Sequence, residues 1–224
     1  MMYCLRKLLM KKGQLMSNIS FNVEEQRLMD HAVAQGHKFW SDDSLEVLKR
    51  KIKDYLRDNQ THCCCYCSRN IDDEFNMVLD IEHVIPKSKI VSEMFQMNNL
   101  AVSCKRCNMR IKGEDVSFIN GDFEHFKEAG DYYQSDSYKF IHPNLDTWDE
   151  NLNYIVAQVN RKKVVYYQVV DGSPKGVYAK EYFELDKIQA NTFDEAQEAT
   201  ARKEPNDPEI AKEFAKLVNT MLGQ

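Results

Sequence analysis

Two cysteine pairs frame the stretch of this chain best equipped for chemistry. Cys64-Cys65-Tyr66-Cys67 opens it and Cys104-Lys105-Arg106-Cys107 closes it. A Cys-x-x-Cys turn aims two sulfurs at one point, and two such turns are the sequence form of a tetrahedral zinc site. With four thiolates the coordination shell is closed, so zinc on Cys64, Cys67, Cys104 and Cys107 would hold structure and perform no reaction. The first pair is crowded. Only Cys64 and Cys67 have the two-residue gap, which leaves Cys63 and Cys65 as packing residues and His62 as the fallback ligand. Reactive groups must then lie between the knuckles or just after them. Three stand out: the acid-histidine pair of Asp80-Ile81-Glu82-His83, Asn99 in Asn98-Asn99-Leu100, and Asn108 directly after Cys107.

In order and spacing these residues resemble the HNH (ββα-metal, His-Me finger) endonucleases of the four-cysteine subclass. The resemblance covers the region from the first knuckle to Lys112. It implies an acid-His pair at the end of a first strand (Glu82-His83), an asparagine before a second strand (Asn99), and a His or Asn that begins the helix after the second knuckle (Asn108). One position departs from the pattern: the acid before the histidine is often Asp and here is Glu82, which still carries a carboxylate. A looser likeness, resting on overall layout, on the helix before the first knuckle and on Glu82-His83 followed by Pro86-Lys87-Ser88, is to bacterial anti-phage defence HNH effectors of the Septu type, which work with an ATPase partner.

That family's reaction suits these residue types. Phosphodiester hydrolysis needs a base for water, stabilisation of a pentavalent phosphate and positive charge at the leaving oxygen. An imidazole such as His83 titrates near neutrality and can serve as general base. The carboxylate of Glu82 and the amide oxygen of Asn108 suit a hard cation, magnesium or another divalent metal. Asp80, two residues before Glu82 on the same strand face, is either an alternative ligand or a supporting carboxylate. Asn99 is expected to bond loop backbone. Lys112, one turn beyond Asn108, is expected with Arg110 and Lys87 to contact the nucleic-acid backbone. DNA is expected ahead of RNA. The competing reading is a zinc module that only binds nucleic acid or a partner protein, and it gives the acid-His pair and Asn108 no role beyond structure or helix capping.

Positioning falls to an α+β arrangement: a ββα-metal HNH core with zinc knuckles, N-terminal helices before it and a C-terminal α+β extension after it. The expected boundaries are a disordered lead over 1–17, helices over 18–60, the zinc-bearing nuclease module over 61–115 and the extension over 116–224. Asn22 with Glu25 predicts a capped helix ending at Gly36. Asp43 with Glu46 predicts a second over 44–59, where Leu45, Leu48, Ile52, Tyr55 and Leu56 form one apolar stripe. The opposite face carries Lys49, Arg50, Lys51, Lys53 and Arg57, either a solvated surface or a phosphate contact. Residues 77–81 and 100–103 read as the strand pair, with a long loop over 87–98, and a short helix follows from Asn108 until Gly113 stops or bends it. Farther on, 152–158 and 163–170 alternate as a hairpin turning at Asn160-Arg161, and 178–185 reads as a strand or the start of a short helix. His142 before Pro143 has no partner in sequence and reads as structural or solvent-facing. Two closing helices are expected, one capped by Thr192 and Glu195, one opened by Asp207-Pro208.

Charge is uneven. Residues 44–113 carry 12 Lys and Arg against 9 Asp and Glu, whereas residues 114–224 carry 12 against 21, within a total of −5. Phosphate binding draws on positive charge, so the acidic half does not hold a nucleic-acid backbone by itself. It is expected to pack on the nuclease module as a scaffold or to offer a docking surface to a partner protein such as an ATPase. No apolar run approaches the ~20 residues needed to cross a bilayer, so no membrane role is expected. Seven cysteines without an export signal predict a reducing, cytoplasmic setting and metal rather than disulfides.

Overall fold

The computed structural model describes residues 19–71, 79–159 and 162–191. The lead, the 160–161 turn and both closing helices expected after Thr192 lie outside the described residues. Helix α1 runs Val23–Gln35, with Asn22 Oδ1 accepting from the Glu25 amide and the Glu25 carboxylate accepting from the Asn22 amide. Helix α2 runs Glu46–Asn59 and buries Leu48, Ile52 and Leu56. Its entry differs from the sequence expectation. A 3₁₀ turn, Asp43–Leu45, precedes it, and Asp42, not Asp43, caps that turn by accepting from the Ser44 amide at 3.0 Å. The basic face of α2 is largely engaged within the fold. Lys49 donates to Trp40 O at 2.9 Å, Lys51 to Glu25 at 2.7 Å and Lys53 to Leu79 O at 2.8 Å, and Arg50 pairs with Glu46.

Strand β1, Leu79–His83, pairs antiparallel with β2, Leu100–Cys104, in the register Glu82 with Ala101 and His83 with Leu100. The strand ends on the acid-histidine pair, as the resemblance implied, two residues past the 77–81 span read from the sequence, of which 77–78 lie outside the described residues. A lone two-stranded ribbon is marginal in water and its edges are open. Here Gln60, just beyond α2, closes the β2 edge as a surrogate strand: Val102 N–H donates to its Oε1 at 2.6 Å and its Nε2 donates to Val102 O at 2.8 Å. After β2 the chain winds through Arg106–Lys112 as a π-helix, closed by Gly113 N–H donating to Asn108 O at 2.6 Å. Gly113 then turns the chain away at φ +50, a conformation that costs a residue with a Cβ.

The extension contributes α3 (Phe123–Ala129), the hairpin β3 (Leu152–Val159) and β4 (Lys162–Val169), α4 (Pro174–Tyr182) and the short β5 (Ala190–Asn191), in the sheet order β3-β4-β5. The segment read as a strand or late helix start is α4, which begins earlier: Ser173 Oγ accepts from the Gly176 amide and Pro174 occupies the first turn. Gly176 is required there, because a Cβ would sit 2.3 Å from Asn151 O. The extension and the half with the four clustered cysteines share one core. Tyr66 stacks on Phe183 with centroids 4.2 Å apart, Tyr167 Oη donates to Cys67 O at 2.6 Å, and Asn144 Nδ2 donates to Leu100 O at 2.9 Å. No helix among the described residues is long and apolar enough to cross a membrane.

His142 belongs to this core and not to the surface. It is fully buried, its Nδ1 accepts from the Asn144 amide at 3.2 Å, and its Nε2 has no partner among the described residues. Burial holds this ring at about 3, Asp146 pulling it up and Lys175 pushing it down, against an ordinary value of 6.5. The unfolded chain protonates this ring near 6.5 and the fold resists, so the stability it contributes is complete above that pH and is lost as pH falls toward 3. Between pH 7 and pH 5 the loss from His142 is about 2 kcal/mol. Urea unfolding at both pH values should show a difference smaller by about that amount in His142→Leu; an unchanged difference would mean that His142 titrates alike in both states.

Candidate active site and metal centre

The first knuckle is a tight turn. Cys64 N–H donates to Arg69 O, Ser68 N–H donates to Cys64 O, and Ser68 takes a positive φ of 54. The second knuckle leads from the end of β2 into the π-helix. Together they bring Cys64, Cys67, Cys104 and Cys107 to one buried point, with all four sulfurs within 4.8 Å of one another. Burial alone would raise the Cys64 thiol, yet hydrogen bonds from Cys104, Cys107, Cys65 and Cys67 hold it well below the ordinary thiol range. The same crowding lowers Cys104 and raises Cys67 and Cys107, and a closed set of four soft donors at one buried point fits a structural zinc ion. Cys104 N–H donates to Cys64 Sγ at 3.3 Å, and the Arg106 guanidinium lies 4.0 Å from Cys107 Sγ, which balances part of the negative charge such a site carries. His62 faces Asp58 at 3.5 Å, and the four-cysteine group is complete without it.

Beside this cluster lies an open cleft lined by Ile81, Glu82, His83, Pro86, Lys87, Ser88, Asn108, Gly113 and Glu114. Strand β1 brings Glu82 and His83, the loop after it brings Lys87, and the π-helix brings Asn108 one residue past a clustered cysteine. His83 is only 6% exposed. Its Nε2 lies 3.1 Å from Met94 O, and Trp40 covers the ring edge to face at 4.5 Å and 81°. A carbonyl only accepts, so Nε2 carries the proton and Nδ1 the free lone pair. Burial and the nearby Lys87 depress His83 to about 3, with the Met94 bond pulling the other way, so the ring is neutral at physiological pH. Burial lowers Lys87 too, opposed by Glu82 and Glu114. Asn108 is half-buried, and its side-chain amide has no hydrogen bond among the described residues.

Glu82 is fully buried and closely held. Its Oε1 meets Lys112 Nζ at 2.8 Å and Tyr66 Oη at 3.1 Å. Burial pushes this carboxyl up, and Lys112 and Tyr66 pull it down. Lys112, expected at the surface facing substrate, is 2% exposed and also donates to His83 O at 2.9 Å. The expectation assumed ordinary helical winding. In the π-helix the closing bond spans five residues, so the residue four beyond Asn108 no longer stacks over it and turns inward. Arg110 is exposed, next to Met109 at 66% exposure. Asp80 does not line the cleft; its Oδ2 is buried without a partner among the described residues. Asn99 closes the long loop, accepting from Ile85 N–H at 2.7 Å and donating to Ile85 O at 3.1 Å and Glu93 O at 3.0 Å.

Tyr66, Trp40 and Glu114 went unremarked in the sequence as parts of the site. Tyr66 had a signal, its place between two ligand cysteines. The other two had none, because their roles depend on pairings distant in the chain or on the direction set by Gly113.

Lys112 and Glu82, each 1% exposed at the side chain, form a fully desolvated ion pair. Lys112→Met should cost about 3–5 kcal/mol by leaving Glu82 charged and unpaired, and most of that should return in the double variant with Glu82→Gln. Denaturant titration checks both; a loss under about 1 kcal/mol in the single variant would mean that solvent reaches the pair.

Residues 64–114 match the HNH endonuclease family model. Over 85 residues the chain is 31% identical to the Septu protein PtuB of Bacillus thuringiensis, a stretch covering 38% of this chain and 30% of that protein. The stretch 64–114, which holds the four-cysteine cluster and the cleft, is thus the part of the chain that is similar to HNH endonucleases, and the chain spans under a third of the length of its Septu relative.

Proposed function

We propose that this protein is a metal-dependent endonuclease that hydrolyses phosphodiester bonds in nucleic acid, DNA in preference to RNA. His83 acts as general base, and Glu82 and Asn108 hold a divalent cation, magnesium being the natural candidate. The observation that carries this reading is the fixed tautomer of His83: Met94 O holds Nε2–H at 3.1 Å in a cleft that also receives Asn108, Glu82 and Lys87.

The donors fit a hard cation. Glu82 Oε2 and the Asn108 amide oxygen have no hydrogen-bond partner among the described residues, and oxygen ligands suit magnesium. The ion, when bound, withdraws charge from the phosphate and stabilises the leaving oxygen. Every other task belongs to the chain. His83 Nδ1 takes the proton of the attacking water. Lys112 and Tyr66 oppose the burial that raises the Glu82 carboxyl and hold it in place. Asn99 holds the loop that carries the Met94 carbonyl. Lys87 lines the cleft without an ion pair among the described residues, and its charge favours a phosphate. Outside the cleft, exposed Lys105 and Arg110 are assigned to contact with the substrate backbone. Lys112 is assigned to support of Glu82 rather than to substrate.

The zinc-only binding reading leaves this cleft without a purpose. The Septu likeness supports a role in anti-phage defence in the cytoplasm beside a partner protein, with an ATPase as the expected kind. Supercoiled plasmid incubated with the protein and magnesium should be nicked, should stay intact with EDTA, and should be cut again when magnesium is restored. Intact plasmid at high protein concentration with either magnesium or manganese would overturn the enzymatic reading. Recovery of the tagged chain alone from its native host, fully active by itself, would remove the partner.

A further inference from the structure

We infer that Trp40, from the N-terminal helical segment outside the matched domain, is a positioning residue for the His83 imidazole. The inference rests on the assignment of His83 as general base.

Trp40 sits in the 3₁₀ turn His37–Ser41 between α1 and α2. Its ring covers His83 at 4.5 Å and 81°, and Phe95 packs on it at 5.4 Å. Trp40 is not among the residues lining the cleft, so the imidazole has the cleft on one side and an indole wall on another. The wall is itself anchored. Lys49 Nζ donates to Trp40 O at 2.9 Å and lies 5.9 Å from the ring centroid, tying backbone and ring to α2.

One hydrogen bond does not fix an imidazole. The χ2 torsion of histidine is broad and roughly two-fold, so a ring held only at Nε2 can rock about that contact or flip away from it. An edge-to-face partner at 4.5 Å removes that freedom, because rotation drives the ring into the indole. Nδ1 is then kept where a water on the phosphate must be met. Displacement of a catalytic group by about 1 Å costs on the order of 10²-fold in rate, so the wall matters to turnover while leaving substrate affinity alone. It also gives the N-terminal helices a function: they complete a site whose reacting groups all lie in 82–108.

The experiment compares wild type, His83→Ala, Trp40→Ala and Trp40→Phe as full-length, zinc-loaded proteins. Cleavage of a fluorescent duplex with magnesium gives kcat and KM, and the ring ¹³C order parameter of His83 is measured by NMR. Trp40→Ala should lower kcat by roughly 10- to 100-fold with KM within about threefold. It should also lower the His83 order parameter, and Trp40→Phe, which restores an aromatic wall, should recover most of both. If Trp40→Ala does not fold, Trp40→Leu, which keeps apolar bulk without a ring, is read by the same criteria. Unchanged kcat and unchanged ring order in Trp40→Ala, or a kcat loss that Trp40→Phe does not relieve, overturns the inference. Wild-type cleavage by His83→Ala would instead overturn the general-base assignment, and the ring-order comparison would still report whether Trp40 holds the imidazole.

Discussion

His83→Ala should cut nucleic acid about 10²–10⁴-fold more slowly than wild type, the usual contribution of a positioned general base. The expectation comes from three features acting on one ring. Burial keeps it unprotonated at physiological pH, the Met94 carbonyl sets its tautomer, and the cleft opens toward Asn108 and Lys87. Removing the imidazole leaves a cavity beneath Trp40 but no unpaired charge, so the protein should stay folded and zinc-loaded. Nucleic-acid affinity should be close to wild type, because the exposed cations are untouched. Single-turnover cleavage beside an affinity titration separates the two quantities. Near-normal turnover would remove His83 from the mechanism; a parallel loss of rate and binding would show that the variant is misassembled.

Cys64→Ser and Cys107→Ser should fail at an earlier stage. The paired strands β1 and β2 are only five residues each, too few to persist alone, and the four-cysteine cluster ties the turn before them to the helix start after them. Structural zinc contributes on the order of 10–16 kcal/mol to the folding of small zinc modules, as much as the whole net stability of a typical domain. These variants should lose zinc and become insoluble or molten, as read by metal content and near-ultraviolet circular dichroism. Because Cys64 Sγ also accepts from Cys104 N–H and Tyr167 binds Cys67 O, the damage should spread into the β3–β4 hairpin. Stable, active, zinc-loaded Cys→Ser proteins would place the metal elsewhere, with Cys63 and His62 the next to test.

The sequence by itself determined the parts governed by spacing along one turn or one strand. Two Cys-x-x-Cys gaps located the four clustered sulfurs, Asn22 with Glu25 located the start of α1, and the stripe of Leu48, Ile52 and Leu56 located the buried face of α2. Each depends on neighbours a few residues apart, where helical or turn geometry leaves little choice. Asn108 was placed by its position directly after Cys107, whereas the acid-His pair, far from either gap, was singled out by the family resemblance. What only the tertiary structure decided is which groups meet across long separations and what burial does to them. Lys112 could be assigned to solvent while ordinary winding was assumed; the π-helix turned it onto Glu82. The start of α4 at Ser173-Pro174 won over a strand because Gly176 lets the helix lie against Asn151. Trp40 reached His83 over 43 positions of chain only because α2 packs on β1 and β2 while α1 packs on the turn that carries Trp40 and on the Val91–Phe95 turn. No local pattern encodes such a meeting, since it is fixed by how apolar faces exclude water together, and that same exclusion holds His83 neutral and Glu82 paired.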